Sequence, residues 1–358
     1  MKKILSLFAF VAIVFSFAAC GDSGNVPEVK NFQFMIQTLS TKELIKITAT
    51  DPNAYIYAYS YKYEGETVDD LLYSTKLFLG DASFEGLANF GIISKGSVEL
   101  SDKNMTPGTK YVVWACRIEE DPETLKPIIG NIEYVIYETM PQYTLNGVFS
   151  VSDTKKVRFS ECNYYESSEG YKSKPQWWYL EVSDDSPRDL FEWSTTQNAY
   201  FKDIDHCMLE AKEWYYLFRE RPNADHLFAQ ATVNNNEGLI ILPDNWDPDG
   251  LELTTGFDMG VLWDAEKLNY EESVHQVYFN GYERNIISET AWEAYEFAGA
   301  VFMPASKNYQ GEYWSSTEDS DDNAFYLHFG KWYLHLNLSE TVDPKNKSKA
   351  IRPVYVIR

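Results

Sequence analysis

Nine of the ten tryptophans and all five histidines of this 358-residue chain lie beyond Pro141-Gln142. The two sides of that break therefore cannot share one kind of core. The length is about 2.4 times the ~150 residues of a typical domain, which predicts two folded units. Hydrophobic residues make up 44% and aromatics 16% of the chain, so a disordered polymer is excluded. With 31 basic against 54 acidic side chains, the formal charge is −23. Such a chain repels a phosphate backbone, which argues against nucleic acid as a partner.

Lys2 and Lys3 precede an apolar run from Ile4 to Ala19 broken only by Ser6 and Ser16. The run is shorter than the ~20 residues that span a bilayer, and predicts a signal peptide over residues 1–19. Its end, Phe17-Ala18-Ala19-Cys20, resembles the lipobox of bacterial lipoproteins. That resemblance implies cleavage before Cys20 and lipidation of its thiol. Residues 20–28 read as a lipidated tether. Without Lys2 and Lys3 the chain has 29 basic and 54 acidic side chains, a charge of −25, so lipid is the expected membrane contact. Gly21-Asp22-Ser23-Gly24 looks like a serine-protease nucleophile motif, but it falls in the tether and carries no chemistry there.

Residues 29–141 offer short alternating segments, including Phe32-Phe34-Ile36 and a row of tyrosines at 55, 57, 59, 61 and 63. A period of two predicts strands. Leu100, Pro107, Thr109 and Tyr111 resemble the turn and corner tyrosine of a fibronectin type III domain, which implies an all-β sandwich. Thr67 to Phe90 departs from that pattern and reads as a helical insertion. The tyrosines read as cross-strand partners with wet hydroxyls, or as a sugar-stacking row.

Residues 142–358 mix the two periods. A hairpin is expected over Val148–Ser150 and Val157–Phe159, helices over Leu209–Phe218 and from an N-cap at Ser288 to Gly299, and a buried strand over Gly238–Leu242. The strings Glu213-Trp214, Ala298-Gly299-Ala300-Val301-Phe302-Met303-Pro304, Tyr313-Trp314-Ser315-Ser316-Thr317 and Ile351-Arg352-Pro353-Val354 stand in the order found in C-type-lectin-like domains of the formylglycine-generating-enzyme type. The resemblance implies an α+β fold with Trp214, Trp292 and Trp314 in its core. It does not carry over that enzyme's activity, because nothing after Cys207 is a cysteine.

Known catalytic motifs are absent: there is no His-Glu-x-x-His, Cys-x-x-Cys, phosphate loop or Gly-x-Ser-x-Gly. No cofactor or metal is expected, with calcium at two acidic loops as the alternative. Those loops are Asn245-Asp247-Asp249-Gly250, which meets Gly256 where an EF-hand needs Glu, and Glu318 to Asn323. Cys162 and Cys207 are candidates for a disulfide, and Cys116 for a buried thiol.

The segment Ala324 to Leu338 is the most informative. A two-residue turn at Gly330-Lys331 would pair Phe329 with Trp332, Leu327 with Leu334 and Phe325 with Leu336 on an apolar face. Tyr326, His328, Tyr333, His335 and Asn337 then share the other face. Rings with polar tips suit recognition, and the same face also serves as the plain solvent side of a hairpin. The variable proteins of diversity-generating retroelements, which this region resembles, present ligand-contacting residues in the equivalent segment. The expectation is a lipid-anchored protein of the cell envelope, at the outer membrane and its surface, that binds a glycan or protein ligand without catalysis. A glycan-processing enzyme with an unrecognised acidic pair, and a structural subunit of a surface assembly, are the alternatives.

Overall fold

The computed structural model describes residues 30–165, 175–177, 190–193, 206–246, 251, 276–278, 281–306, 308–335 and 341–357. The predicted signal peptide, Cys20, the tether, Asn337 and most of the Asn245–Gly256 loop lie outside them. The chain is rich in β-sheet, distributed over several sheets. The described residues divide into two compact units between Gln142 and Tyr143.

In the first unit β1 (Phe32–Thr38), β2 (Glu43–Ala49) and β5 (Ser97–Asp102) form one antiparallel sheet in the order β1-β2-β5. A second sheet runs β4-β3-β6-β7, from β3 (Tyr55–Lys62), β4 (Ser94–Lys95), β6 (Lys110–Glu120) and β7 (Pro127–Glu138). The alternation in β2 and β3 puts Ile45, Ile47 and Ile56 on the faces that meet, where they pack with Phe32, Val113 and Ala115. Burial of each large aliphatic side chain there contributes about 1.5–3 kcal/mol. At one corner the Thr106 N–H donates to Tyr111 Oη at 3.0 Å, which ties the turn to the start of β6.

The tyrosines are cross-strand neighbours as expected, and Tyr59 is exposed, but the others are covered to differing degrees. Between β3 and β4 the chain forms α1 (Val68–Leu79) and α2 (Phe84–Asn89), capped by Thr67 and Ser83. These helices cover the outer face of the second sheet. Tyr57 is buried against Leu71, Leu79, Leu87 and Trp114, and Tyr55, Tyr61 and Tyr63 are partly buried with them. Trp114 Nε1 donates to Thr75 Oγ1 at 3.0 Å, so the indole is satisfied under α1. The Cys116 thiol is in the same layer, and burial pushes it up to about 12. It is an inert core residue.

The second unit begins with the hairpin β8 (Phe149–Ser150) and β9 (Lys156–Phe159), which β21 (Val354–Val356) extends. A two-residue pair, β10 (Phe191–Glu192), meets β20 (Ser348–Lys349). Helix α3 (Ala211–Tyr215) continues as a π-turn over Tyr216–Glu220. A four-stranded sheet follows, ordered β14-β11-β12-β15 from β11 (Phe228–Val233), β12 (Asn236–Ile241), β14 (Ile286–Ile287) and β15 (Val301–Pro304). Asn234 and Asn235 both adopt positive φ between β11 and β12, the conformation a two-residue hairpin turn demands and asparagine tolerates. Helix α4 (Glu289–Phe297), capped by Ser288, lays Trp292 and Tyr295 on Ile240, Leu242 and Phe302 of this sheet.

Cys162 and Cys207 are not joined by a disulfide, contrary to the sequence expectation. Val354 explains the separation. It pairs with Phe159 on one side and with Cys207 on the other. Two strand spacings, about 9.6 Å, therefore separate Cys207 from the strand that leads to Cys162, beyond the about 4.4–6.8 Å that a disulfide spans. Trp214, Trp292 and Trp314 are all buried.

Candidate functional site

The last sheet carries the predicted polar face. It is ordered β13-β18-β17-β16, from β13 (Gln276–Tyr278), β16 (Gln310–Glu318), β17 (Asn323–Gly330) and β18 (Tyr333–His335), and β19 (Val342–Pro344) also pairs with β17. The turn is Lys331-Trp332, one residue later than expected. Gly330 pairs with Tyr333, Phe329 with Leu334 and His328 with His335. Because both strands shift by one position, the paired side chains of the two strands keep their predicted faces.

Leu327, Phe329 and Leu334 are buried, whereas Tyr326, His328, Tyr333 and His335 are half-buried together on the other side. Trp332 is not on the apolar face but exposed in the turn. Phe325 pairs with Val342 instead of Leu336, which lies outside the described residues. The reason for the shift is Gly330. A Cβ there would stand 2.7 Å from the Tyr333 ring, so the glycine is a seat for that ring and not a turn residue.

The rings touch in series. His328 and His335 stack with centroids 5.3 Å apart and planes 7° from parallel. Tyr333 meets His335 edge-on at 4.7 Å, and Tyr326 lies 5.7 Å from His328. Gln310 Nε2 lies 3.2 Å from Tyr333 Oη, and that hydroxyl lies 3.2 Å from His328 Nε2. A donating Gln310 leaves the tyrosine proton for the imidazole, which makes the neutral ring the acceptor.

Strand β16 widens the face with residues that sequence reading missed. Its register sets Gln310 beside Gly330, Glu312 beside His328 and Trp314 beside Tyr326. From β20, the buried Lys349 Nζ lies 3.6 Å from the Tyr326 centroid, 2.6 Å from Asp343 Oδ2 and 3.3 Å from Glu312 Oε2. The alternation Gln310-Gly-Glu312-Tyr-Trp314 was the available signal for β16. Nothing local announced Lys349 or Asp343. A shallow depression beside α3, lined by Trp214, Tyr215, Tyr326, His335 and Thr341, borders the face.

Burial holds His328 down to about 4, helped by the neighbouring His335 and Lys349 and opposed by Asp343. Burial, with Asp343 and Glu312, raises Tyr326. At neutral pH His328 and Tyr326 are therefore both neutral. Protonating His328 is harder in the folded chain than in the unfolded one. Stability is thus fully present above about 6.5 and declines as pH falls through about 4. We expect a loss of about 1–2 kcal/mol over that window after allowance for solvent screening, absent in His328→Gln, in urea titrations at pH 7.0 and 4.5.

Among the described residues no group of three His, Cys, Asp or Glu side chains is arranged to hold a metal ion. At the Glu318–Asn323 loop, Lys345 Nζ reaches the Asp321 carbonyl at 2.9 Å and Glu318 Oε2 at 3.7 Å. A resident cation already serves that loop. The carboxylates nearest the ring face, Glu312 and Asp343, are likewise both on one ammonium. Aromatic area with a few oriented polar atoms is what this site offers, which suits binding. No protein-family model matches the chain, and no curated protein matches it.

Proposed function

We propose that the protein is an envelope lipoprotein, anchored through Cys20, whose second unit binds a glycan or protein ligand through Tyr326, His328, Tyr333 and His335, with Asn337 further along the same segment. In this reading the first unit is a fibronectin type III-like spacer. Its sheets β1-β2-β5 and β4-β3-β6-β7 and the Tyr111 corner bond support that assignment. The second unit is a C-type-lectin-like head, supported by its mixed helix and sheet content and its buried tryptophans.

The observation that carries the binding reading is the linked run of half-buried rings on one side of β17 and β18. Rings already packed against one another lose little entropy on binding. The reading is non-catalytic, because Glu312 and Asp343 are engaged by Lys349 instead of facing each other across a cleft. A printed array of oligosaccharides and extracellular proteins, probed with the purified chain, tests it. A hit should weaken about tenfold or more in Tyr333→Ala and in His335→Ala. Tyr59→Ala, in the first unit, should leave it unchanged. Binding that survives both changes in the ring face would refute the proposal, and turnover of an arrayed oligosaccharide would replace it with a hydrolase.

A further inference from the structure

Large apolar side chains are exposed at one end of the first unit. Leu77 and Phe78 stand on the last turns of α1, Phe90 and Ile92 follow α2, and Leu125 and Ile128 belong to the β6–β7 turn and the start of β7. Leu77 is 75% and Phe90 85% exposed. These three segments meet. The Phe84 N–H donates to the Leu125 carbonyl at 3.0 Å, the Tyr55 and Phe84 rings are 5.0 Å apart, and Lys126 Nζ lies 3.7 Å from Asp81 Oδ1.

Leu125 adds an independent observation. Its φ is 57°, in the left-handed region that asparagine and glycine favour and a branched side chain resists. Asp121 builds the turn around it, accepting from the backbone of Glu123, Thr124 and Leu125. A strained leucine kept at an exposed turn tip points to a use for its side chain.

The chain enters the unit at this same end. Thr50 N–H donates to the Asn31 carbonyl, Ala49 N–H to that of Gly96, and Gly96 N–H to that of Ala54, next to Tyr55. It leaves at the other end, where Met140 bonds to Leu39 and Gly108. Eleven residues separate Asn31 from Cys20. At most about 3.3–3.6 Å each, they keep this end within about 40 Å of whatever Cys20 is fixed to. A patch that binds a membrane only weakly from solution then acts at high effective concentration.

We infer that this end of the first unit rests on a neutral phospholipid surface, with Leu77, Phe90 and Leu125 seated among the headgroups. The inference rests on the reading of Cys20 as the lipid anchor. A neutral surface follows from the charges there. Arg117 faces Asp51 and Glu119, Lys126 faces Asp81, and the exposed Lys30, Lys76 and Lys95 are interspersed with the exposed Glu85, Glu120 and Glu123, so neither sign forms a block. Such an end is not built to select anionic lipid.

The test uses the full mature chain carried on phosphatidylcholine vesicles by its own lipid, and the same chain with Cys20→Ser in buffer. Hydrogen exchange at residues 88–92 and 122–126 should slow several-fold on the vesicles, and that at residues 103–109, at the opposite end, should not change. In Phe90→Ser/Leu125→Asn the protection should be lost. Vesicle sedimentation of the Cys20→Ser chain should fall about tenfold with those two changes. The Tm of the double variant should be unchanged or higher, because asparagine accepts the φ of residue 125. Mass analysis of residue 20 reports on the anchor separately. An acylated Cys20 with equal exchange in both forms would overturn the contact and leave the anchor standing. An unmodified Cys20, with a chain that still sediments through the patch, would overturn only the anchor.

Discussion

Replacing Arg221 with alanine is expected to destabilise the second unit by about 3–5 kcal/mol, a large share of the about 5–15 kcal/mol that holds a domain folded. The side chain is fully buried. Its Nη1 donates to the Leu242 carbonyl at 2.9 Å and meets Asp244 Oδ1 at 3.2 Å, and Nη2 donates to the Leu227 carbonyl at 3.1 Å. Asp244 in turn accepts from the Ser150 N–H and hydroxyl, so one guanidinium joins the end of the π-turn, the β11–β12 sheet and β8. Burial lowers Arg221 to about 10, against the pull of Asp244, and it stays charged at neutral pH.

Alanine would strand two buried carbonyls and a carboxylate only 25% exposed, and that penalty exceeds the value of the hydrogen bonds themselves. Lysine restores charge but cannot reach three acceptors with one fork, so Arg221→Lys should cost about half as much. Nine of the ten tryptophans report on this unit, which makes fluorescence during urea unfolding the suitable measurement. A shift below about 1 kcal/mol for alanine would mean that the staple contributes little.

The second large effect is expected at Gly299, which follows α4 with φ 94°. A Cβ there would lie 2.7 Å from Gly147 Cα, and one on Gly147 would lie 2.2 Å from the Gly299 carbonyl oxygen. Two backbones are in contact, and Asn146 Nδ2 donates to the Phe297 carbonyl at 2.7 Å beside them. Gly299→Ala should cost about 2–4 kcal/mol, the sum of left-handed strain and displaced backbone. Gly108 separates the two contributions. It has φ 57° with open space around it, so Gly108→Ala should cost only about 1 kcal/mol. Equal losses at the two glycines, measured by thermal unfolding, would show that close approach plays no part.

Legibility of the fold in the sequence followed the range of the force involved. Ser288 was readable as an N-cap because its hydroxyl serves Ala291, three residues on. Strand β1 was readable from the alternation of Phe32, Phe34 and Ile36. The burial of Tyr57 was not readable because its neighbours α1 and α2, though recognisable as helices, gave no sign of the face on which they would pack. Gly330 was misread because turn propensity is the usual meaning of a glycine between strands, whereas here the Tyr333 ring needs the space. The Cys162–Cys207 pairing failed for a similar reason: Val354, nearly 150 residues further on, runs between them.

For the candidate site the sequence by itself determined which side chains share a face, because alternation along a strand is a property of the covalent chain and survives a shift of both strands together. It placed Tyr326, His328, Tyr333 and His335 on one side of β17 and β18. Only the tertiary structure decided the partners: the stacking of His328 on His335, the Gln310–Tyr333–His328 series, and the buried Lys349 between Glu312 and Asp343 under Tyr326. Those depend on which strand lies beside which. That choice is settled by packing summed over a whole sheet, not by any residue's own preference.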